Sequence, residues 1–338
     1  MDPHKKKIVI CLLSLFFIII LFFYLSLKIG AFSYSFSSII HFLFSGETSK
    51  ESIVFNDVRL PRAVITAVIG ANLAVAGALM QILTKNPLAS PSVFGINAGA
   101  SFTVVSFIVF IPGIMGWPLL LAAFLGGFIA AALIFLISSI LKGGNLEVKV
   151  ALTGVAIQAL LSSCTQGLLL FNEDSAQNIL VWLAGTVAGT KWEDVFLILP
   201  VSLIALIVSF CLAGPLSVLA LGDDVARGLG QRIFILKAAA GFLVVVLAGA
   251  SVAAVGPIGF VGLITPHVVR YIAGTDYRVI LPLSALFGGA LLLAADVMSR
   301  FIAFPYETPV GIVTALIGAP YFIYLAKFYK KRRSFSRA

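Results

Sequence analysis

The side chains best equipped for chemistry in this sequence are arginines and carboxylates at the edges of long apolar runs. Arg59-Leu60-Pro61-Arg62 sets two guanidinium groups three positions apart, with a proline fixing the backbone between them. Fixed guanidinium forks can each take a carboxylate bidentately and so orient a partner. The same arginines could instead anchor the chain by reaching toward lipid phosphates. Asp296 and Arg300 stand at i,i+4, the spacing of an intrahelical ion pair. In Leu221-Gly222-Asp223-Asp224-Val225-Ala226-Arg227-Gly228-Leu229-Gly230, glycines bracket a polar segment with room for one or two helical turns, or for a plain solvated loop. Gln158, Ser162 and Gln166 fall at i, i+4 and i+8, hence on one helix face. Such a face either lines a watery path or hydrogen-bonds neighbouring helices.

No enzyme constellation accompanies them. His4, His41 and His267 are far apart, with no H-x-x-x-H or H-E-x-x-H to converge on a metal. No G-x-S-G frames a serine nucleophile, and no G-x-x-x-x-G-K-[ST] could cradle ATP phosphates, so any ATPase must be another polypeptide. Cys11, Cys164 and Cys211 lie inside apolar runs without C-x-x-C spacing, which indicates neither zinc nor a disulfide framework. Asn72, Asn97, Gln81 and His267 read as structural hydrogen-bonders.

The elements that must position these residues follow from composition. Of 338 residues, 60% are hydrophobic and 11% charged, against roughly 45–50% and 25% in soluble domains. Too little polar surface is available for a soluble fold, and disorder needs low hydrophobicity. An all-α polytopic membrane protein remains. Ten spans are readable, at Ile8–Leu27, Ala63–Leu83, Ser92–Ile111, Trp117–Leu141, Val150–Phe171, Asp194–Ala213, Lys237–Val255, Gly256–Ile272, Ile280–Met298 and Thr308–Ala326. The eighth is interrupted by Gly and Pro. The whole of 1–338 reads as one transmembrane domain, with 8–326 spanning and 327–338 a basic cytoplasmic tail. The run after Lys5-Lys6-Lys7 has 20 residues and no A-x-A site, so it is expected to stay as a first span rather than be cleaved. Lys28–Val58 suits an exterior loop with a short amphipathic helix.

With both termini inside, only Lys28, Lys50, Arg59, Arg62, Lys191 and Arg300 fall outside, and the other 17 of the 23 Lys and Arg fall inside. The acidic residues Glu47, Glu51, Asp57, Glu173, Asp174, Glu193, Asp194 and Glu307 gather outside. The net charge of +9 is therefore read as membrane orientation, not nucleic-acid binding.

Longer motifs sharpen this. Arg59-Leu60-Pro61-Arg62, Gly70-Ala71-Asn72-Leu73-Ala74-Val75-Ala76-Gly77-Ala78-Leu79-Met80-Gln81, Asn86-Pro87-Leu88-Ala89-Ser90-Pro91 and Gly95-Ile96-Asn97-Ala98-Gly99-Ala100 resemble the FecCD family of ABC importer permeases for iron-siderophores, haem and cobalamin. So do Gly256-Pro257-Ile258-Gly259-Phe260-Val261-Gly262-Leu263, Pro266-His267 and Pro309-Val310-Gly311-Ile312-Val313-Thr314. The resemblance covers roughly Arg59 to Leu325. It implies that Arg59, Arg62 and Arg300 dock glutamates of an extracytoplasmic substrate-binding protein. It implies that Asp223, Asp224 and Arg227 belong to a coupling helix seated in an ATPase groove. It implies that Gln158, Ser162 and Gln166 face the pathway, which the fifth and tenth spans flank. An inverted repeat of spans 2–5 and 7–10 is inherited from the resemblance. The implied partners are a second permease subunit, the same chain or a sister, two cytoplasmic ATPase subunits carrying ATP and Mg, and membrane lipid. No cofactor is implied on this chain. The implied location is the cell membrane and the implied substrate a ferric siderophore, with haem or cobalamin as alternatives. A secondary transporter would want an ionisable group near the midplane, and only Asp296, beside Arg300, comes close.

Overall fold

The computed structural model describes residues 3–30, 33–44, 49–92, 95–141, 146–304 and 306–335. Glu47, Lys142 and Arg337, counted above for topology, lie outside the described residues. The described chain is almost wholly helical: α1 (Pro3–Lys28), α2 (Phe36–Phe44), α3 (Lys50–Val54), a π-helical turn (Phe55–Arg59) and α4 (Leu60–Leu83) come first. There follow α5 (Ile96–Phe110), α6 (Trp117–Ile140), α7 (Leu146–Leu170), α8 (Glu173–Leu183), α9 (Trp192–Cys211), α10 (Ala213–Leu219) and α11 (Asp223–Gly228). The last four are α12 (Ile233–Val255), α13 (Val261–Ala273), α14 (Tyr277–Ile302) and α15 (Val310–Phe335). Among the described residues seven helices are long and apolar enough to cross a membrane, and α5 and Val310–Leu325 are shorter apolar helices.

α4 is the most enclosed of the long helices. Small residues let its neighbours approach at backbone distance, the usual means of packing helices that gain no hydrophobic drive from lipid. A Cβ on Gly77 would stand 1.8 Å from the Gly262 carbonyl oxygen of α13, and one on Gly70 would stand 2.3 Å from that of Gly288 on α14. Only glycine fits at either place.

The helix ends segregate into two sets. The end of α1 and the starts of α4 and α15 meet the end of α14 through Ser26, Arg62, Asp296 and Glu307. At the opposite end, Lys85 beyond α4 and Lys237 near the start of α12 both meet α11, while α10 and the end of α13 meet the start of α14. The termini share this second end, since α1 runs away from it and α15 toward it; Leu325 packs in one cluster with Leu88.

The eighth expected span differs most from the sequence reading. Gly256–Phe260 is irregular, and α13 begins only at Val261, so the helix has 13 residues. Backbone groups around the break are satisfied inside the protein, as an apolar setting demands: Val255 O accepts from Thr186 N at 2.9 Å, Gly259 O from Val261 N at 2.8 Å and Phe260 O from Ile264 N at 2.9 Å. Phe260 holds φ 68, and its ring fills the space that Gly318 leaves on α15. α8 was not expected; it is an amphipathic helix of 11 residues within the stretch between the fifth and sixth spans. The Lys28–Val58 region holds two short helices rather than one, closed by an aromatic cluster of Tyr34, Phe42 and Phe55. α15 continues to Phe335, so the start of the basic tail is helical.

Helix lengths correspond between two sets of four. α4 to α7 have 24, 15, 24 and 25 residues, and α12 to α15 have 23, 13, 26 and 26. In each set the second helix is the short one, preceded by a residue at positive φ: Gly95 at 70° and Phe260 at 68°. α4 and α12 run in opposite directions.

Candidate functional site

Arg59 and Arg62 were expected to project from the surface, and Arg300 either to dock a partner or to pair with Asp296. Each is instead only 6–7% exposed and engaged inside the protein. Arg62 donates from Nε and Nη2 to Asp296 Oδ1 at 2.9 and 2.7 Å, and from Nη1 to Glu307 Oε2 at 2.6 Å. Arg300 pairs with the other oxygen of Asp296, the i,i+4 contact that the sequence allowed, and also binds Ser26 O at 2.7 Å and Ile29 O. Arg59 donates to Leu27 O at 2.8 Å and to Lys28 O at 3.1 Å, with its guanidinium 4.1 Å from the centre of the Tyr34 ring.

The physical reason is the end of α1. Its last carbonyls have no partner within the helix, and two arginines supply the donors. Asp296, fully buried and shared by Arg62 and Arg300, balances the two guanidinium groups together with Glu307; without it one cation would be uncompensated in a low-dielectric setting. Glu307 is the open side of the cluster, with its side chain 41% exposed.

At the opposite end the three residues of the glycine-bracketed segment divide. Asp223 turns inward, with Oδ2 2.7 Å from Lys237 Nζ and Oδ1 3.1 Å from Lys85 Nζ. The Lys237 hydrogen bond, reinforced by Lys85 and opposed by burial, holds its carboxyl below the usual carboxylate range. Asp224 and Arg227 face outward, 3.8 Å apart, among the exposed Leu221, Val225 and Leu229. The segment is the short helix α11, not a plain loop. An open cleft of about 370 Å³ lies beside it, lined by Gln81, Lys85, Leu219, Gly222, Arg270 and Tyr277 among others.

Gln158, Ser162 and Gln166 share a face of α7; the first two are partly buried and the third is exposed. No hydrogen bond joins any of the three to another described residue. Asn72 bridges α4 to α9 through Ser202 Oγ at 2.7 Å, and His267 packs edge-on to Tyr321. Among the described residues no group of three or more His, Cys, Asp and Glu is placed to hold a metal ion.

Sequence reasoning missed Ser26, Glu307, Lys85 and Lys237 as site residues. The available signal was charge by side: each pair of opposite charges had been assigned to the same face of the membrane.

The FecCD transport family matches residues 18–328. The Fe(3+)-citrate import system permease protein YfmD of Bacillus subtilis (strain 168) is 47% identical over 303 residues, 90% of each chain. The Fe(3+) dicitrate transport system permease protein FecC of Escherichia coli (strain K12) is 41% identical over 281 residues, 83% of this chain and 84% of that one. A solved structure, described as an inward-facing conformation of a metal-chelate type ABC transporter, aligns with a TM-score of 0.80 at 30% identity, covering 94% of this chain and 98% of the other. With its long apolar helices and its relatives among the permeases of import systems, this is a multi-pass cell-membrane protein. The chain belongs to the FecCD transport family.

Proposed function

We propose that this chain is the transmembrane subunit of a binding-protein-dependent ABC importer that takes up ferric chelates of the siderophore class by ATP-driven alternating access. The observation that carries the reading is the 47% identity, across 90% of both chains, to a ferric citrate permease. The chain spans the membrane ten times, with α5, α13 and α15 completing the seven long helices. The Asp223 end is cytoplasmic, in keeping with its excess of Lys and Arg. The matched helix lengths and opposed directions of α4 and α12 support an inverted repeat of α4–α7 and α12–α15.

The chain works as a pair, with α7 and α15 flanking the path and Gln158, Ser162 and Gln166 hydrating it. Two ATPase subunits, carrying ATP and Mg, seat α11 through Asp224, Arg227 and the apolar residues around them. The binding protein docks at the Arg62 end. Because Arg59, Arg62 and Arg300 are engaged internally, docking proceeds by exchange: an incoming carboxylate displaces Glu307, the exposed member, from Arg62. Asp296 sits between two arginines and is poorly placed to carry protons, which weighs against an ion-coupled carrier.

The test is uptake in a deletion strain, with and without this gene, of labelled ferric citrate, a ferric hydroxamate, haem and cobalamin. Gene-dependent uptake of a ferric chelate is expected. Uptake of cobalamin alone would move the substrate to the class named for another relative, the BtuC permease of Halobacterium salinarum. No gene-dependent uptake of any of the four would overturn the reading.

A further inference from the structure

The geometry points to Asp223 as a positioning residue that makes α11 move as one body with α4 and α12. This rests on the coupling reading of α11 and gives its inward carboxylate a task separate from meeting the ATPase. The two oxygens of Asp223 reach different elements: Oδ2 binds Lys237 on α12 at 2.7 Å, and Oδ1 lies 3.1 Å from Lys85 just beyond α4. The other two charged residues of α11 point away, with the Asp224 side chain wholly exposed and that of Arg227 69% exposed.

Besides Asp223, α11 is held by Ala226 in the core and by the tight turns that join it to α10 and α12. Of its six residues only Ala226 is buried. The cleft lined by Gln81, Lys85, Gly222, Arg270 and Tyr277 opens beside it, where apolar packing would otherwise join it to α13 and α14. Lys85 itself holds φ 48, a left-handed conformation sparsely populated by non-glycine residues. Such outliers persist where the surroundings over-determine them, and the ion pair to Asp223 is one such constraint.

From that clamp α4 runs unbroken from Leu83 back to Leu60, about 36 Å at the α-helical rise. Arg62, in its first turn, lies inside the cluster with Asp296. A displacement of α11 by the ATPase therefore reaches the opposite end of the molecule through one continuous helix. A partly solvated ion pair adds little stability, which suits a linkage: it must transmit position, not hold the fold together.

The experiment uses the complete transporter in proteoliposomes, with its ATPase subunits and binding protein, and ferric citrate as the probe. Asp223→Asn is expected to retain the ATPase subunits and continue hydrolysis while iron accumulated per ATP falls about tenfold, a typical coupling effect. Asp223→Glu, which keeps the charge, recovers part of the yield. Lys85→Gln and Lys237→Gln each lower it in part, and neither lowers it further when combined with Asp223→Asn, the non-additivity of residues in one network. Wild-type yield per ATP from Asp223→Asn overturns the assignment, as does additivity in the double variants. Loss of the ATPase subunits from the Asp223→Asn complex also overturns it, because the carboxylate would then belong to the partner surface. If the wild-type chain retains no ATPase subunit, the coupling reading itself has failed.

Discussion

The two ends of α4 carry ion clusters of opposite character. At one end Arg62, Asp296 and Arg300 are buried and tie α1, α4 and α14 together. At the other, Asp223 is a quarter exposed between two partly solvated lysines and ties α11 to the bundle. Burial decides what each can do. An ion cluster removed from water cannot lose one member cheaply, because the remainder is left charged and desolvated. An ion pair open to water can break and re-form with little change in stability. The first arrangement suits a fixed brace, and the second a joint that fastens α11 to the bundle without carrying the stability of the fold.

The largest effect expected from breaking this contrast is at Asp296. Asp296→Ala removes the carboxylate that Arg62 and Arg300 share, leaving Arg300 with none, and should cost about 3–5 kcal/mol, read as a lowered midpoint of thermal unfolding in detergent. A midpoint within a degree or two of wild type would show that water reaches the cluster freely. Next is the middle of α4. Gly77→Ala places a methyl group against the Gly262 carbonyl and should cost about 1–3 kcal/mol through forced separation of α4 and α13. The same unfolding assay checks it, and a neutral result would mean that these helices are looser than their backbone spacing implies.

Glu307→Gln is a smaller perturbation, worth less than about 1 kcal/mol because the Glu307 side chain is so exposed. It should nevertheless tighten binding-protein docking several-fold in a surface-binding assay, since a competing carboxylate is lost from Arg62. Weaker docking would show that Glu307 belongs to the docking surface itself.

The smallest effect is that of pH on the Asp223 joint. Its carboxyl is held below the usual range, so the contribution is complete above the ordinary value of about 3.9 and is lost only as pH falls through the lowered folded value. Coupling yield should therefore be flat between about pH 5.5 and 7.5; a fall across that window would point to another titrating group.

Much of this architecture was legible in the sequence. Long apolar runs located α1, α4, α6, α9, α12 and α14 within a few residues, because a bilayer demands continuous hydrophobic helix. Gly256, Pro257 and Gly259 marked the broken entry to α13. α8 was not legible: its 11 residues, a polar half followed by an apolar half, are too few to stand out between two spans. The arginines were legible as an edge feature but not as a buried one. Arg62 and Asp296 are 234 positions apart, and no local pattern says that the second will neutralise the first. The i,i+4 pair of Asp296 and Arg300 was visible because helix periodicity alone brings them together. Asp223 likewise was recognisable as part of a polar segment, while its inward orientation depends on Lys85 and Lys237, which the fold supplies.

The most direct test of the central claim is the energy source. Proteoliposomes holding this chain with its ATPase subunits should accumulate labelled ferric chelate only when ATP is inside and the loaded binding protein is outside, with no response to an imposed proton or sodium gradient. Accumulation driven by such a gradient without ATP would contradict the account.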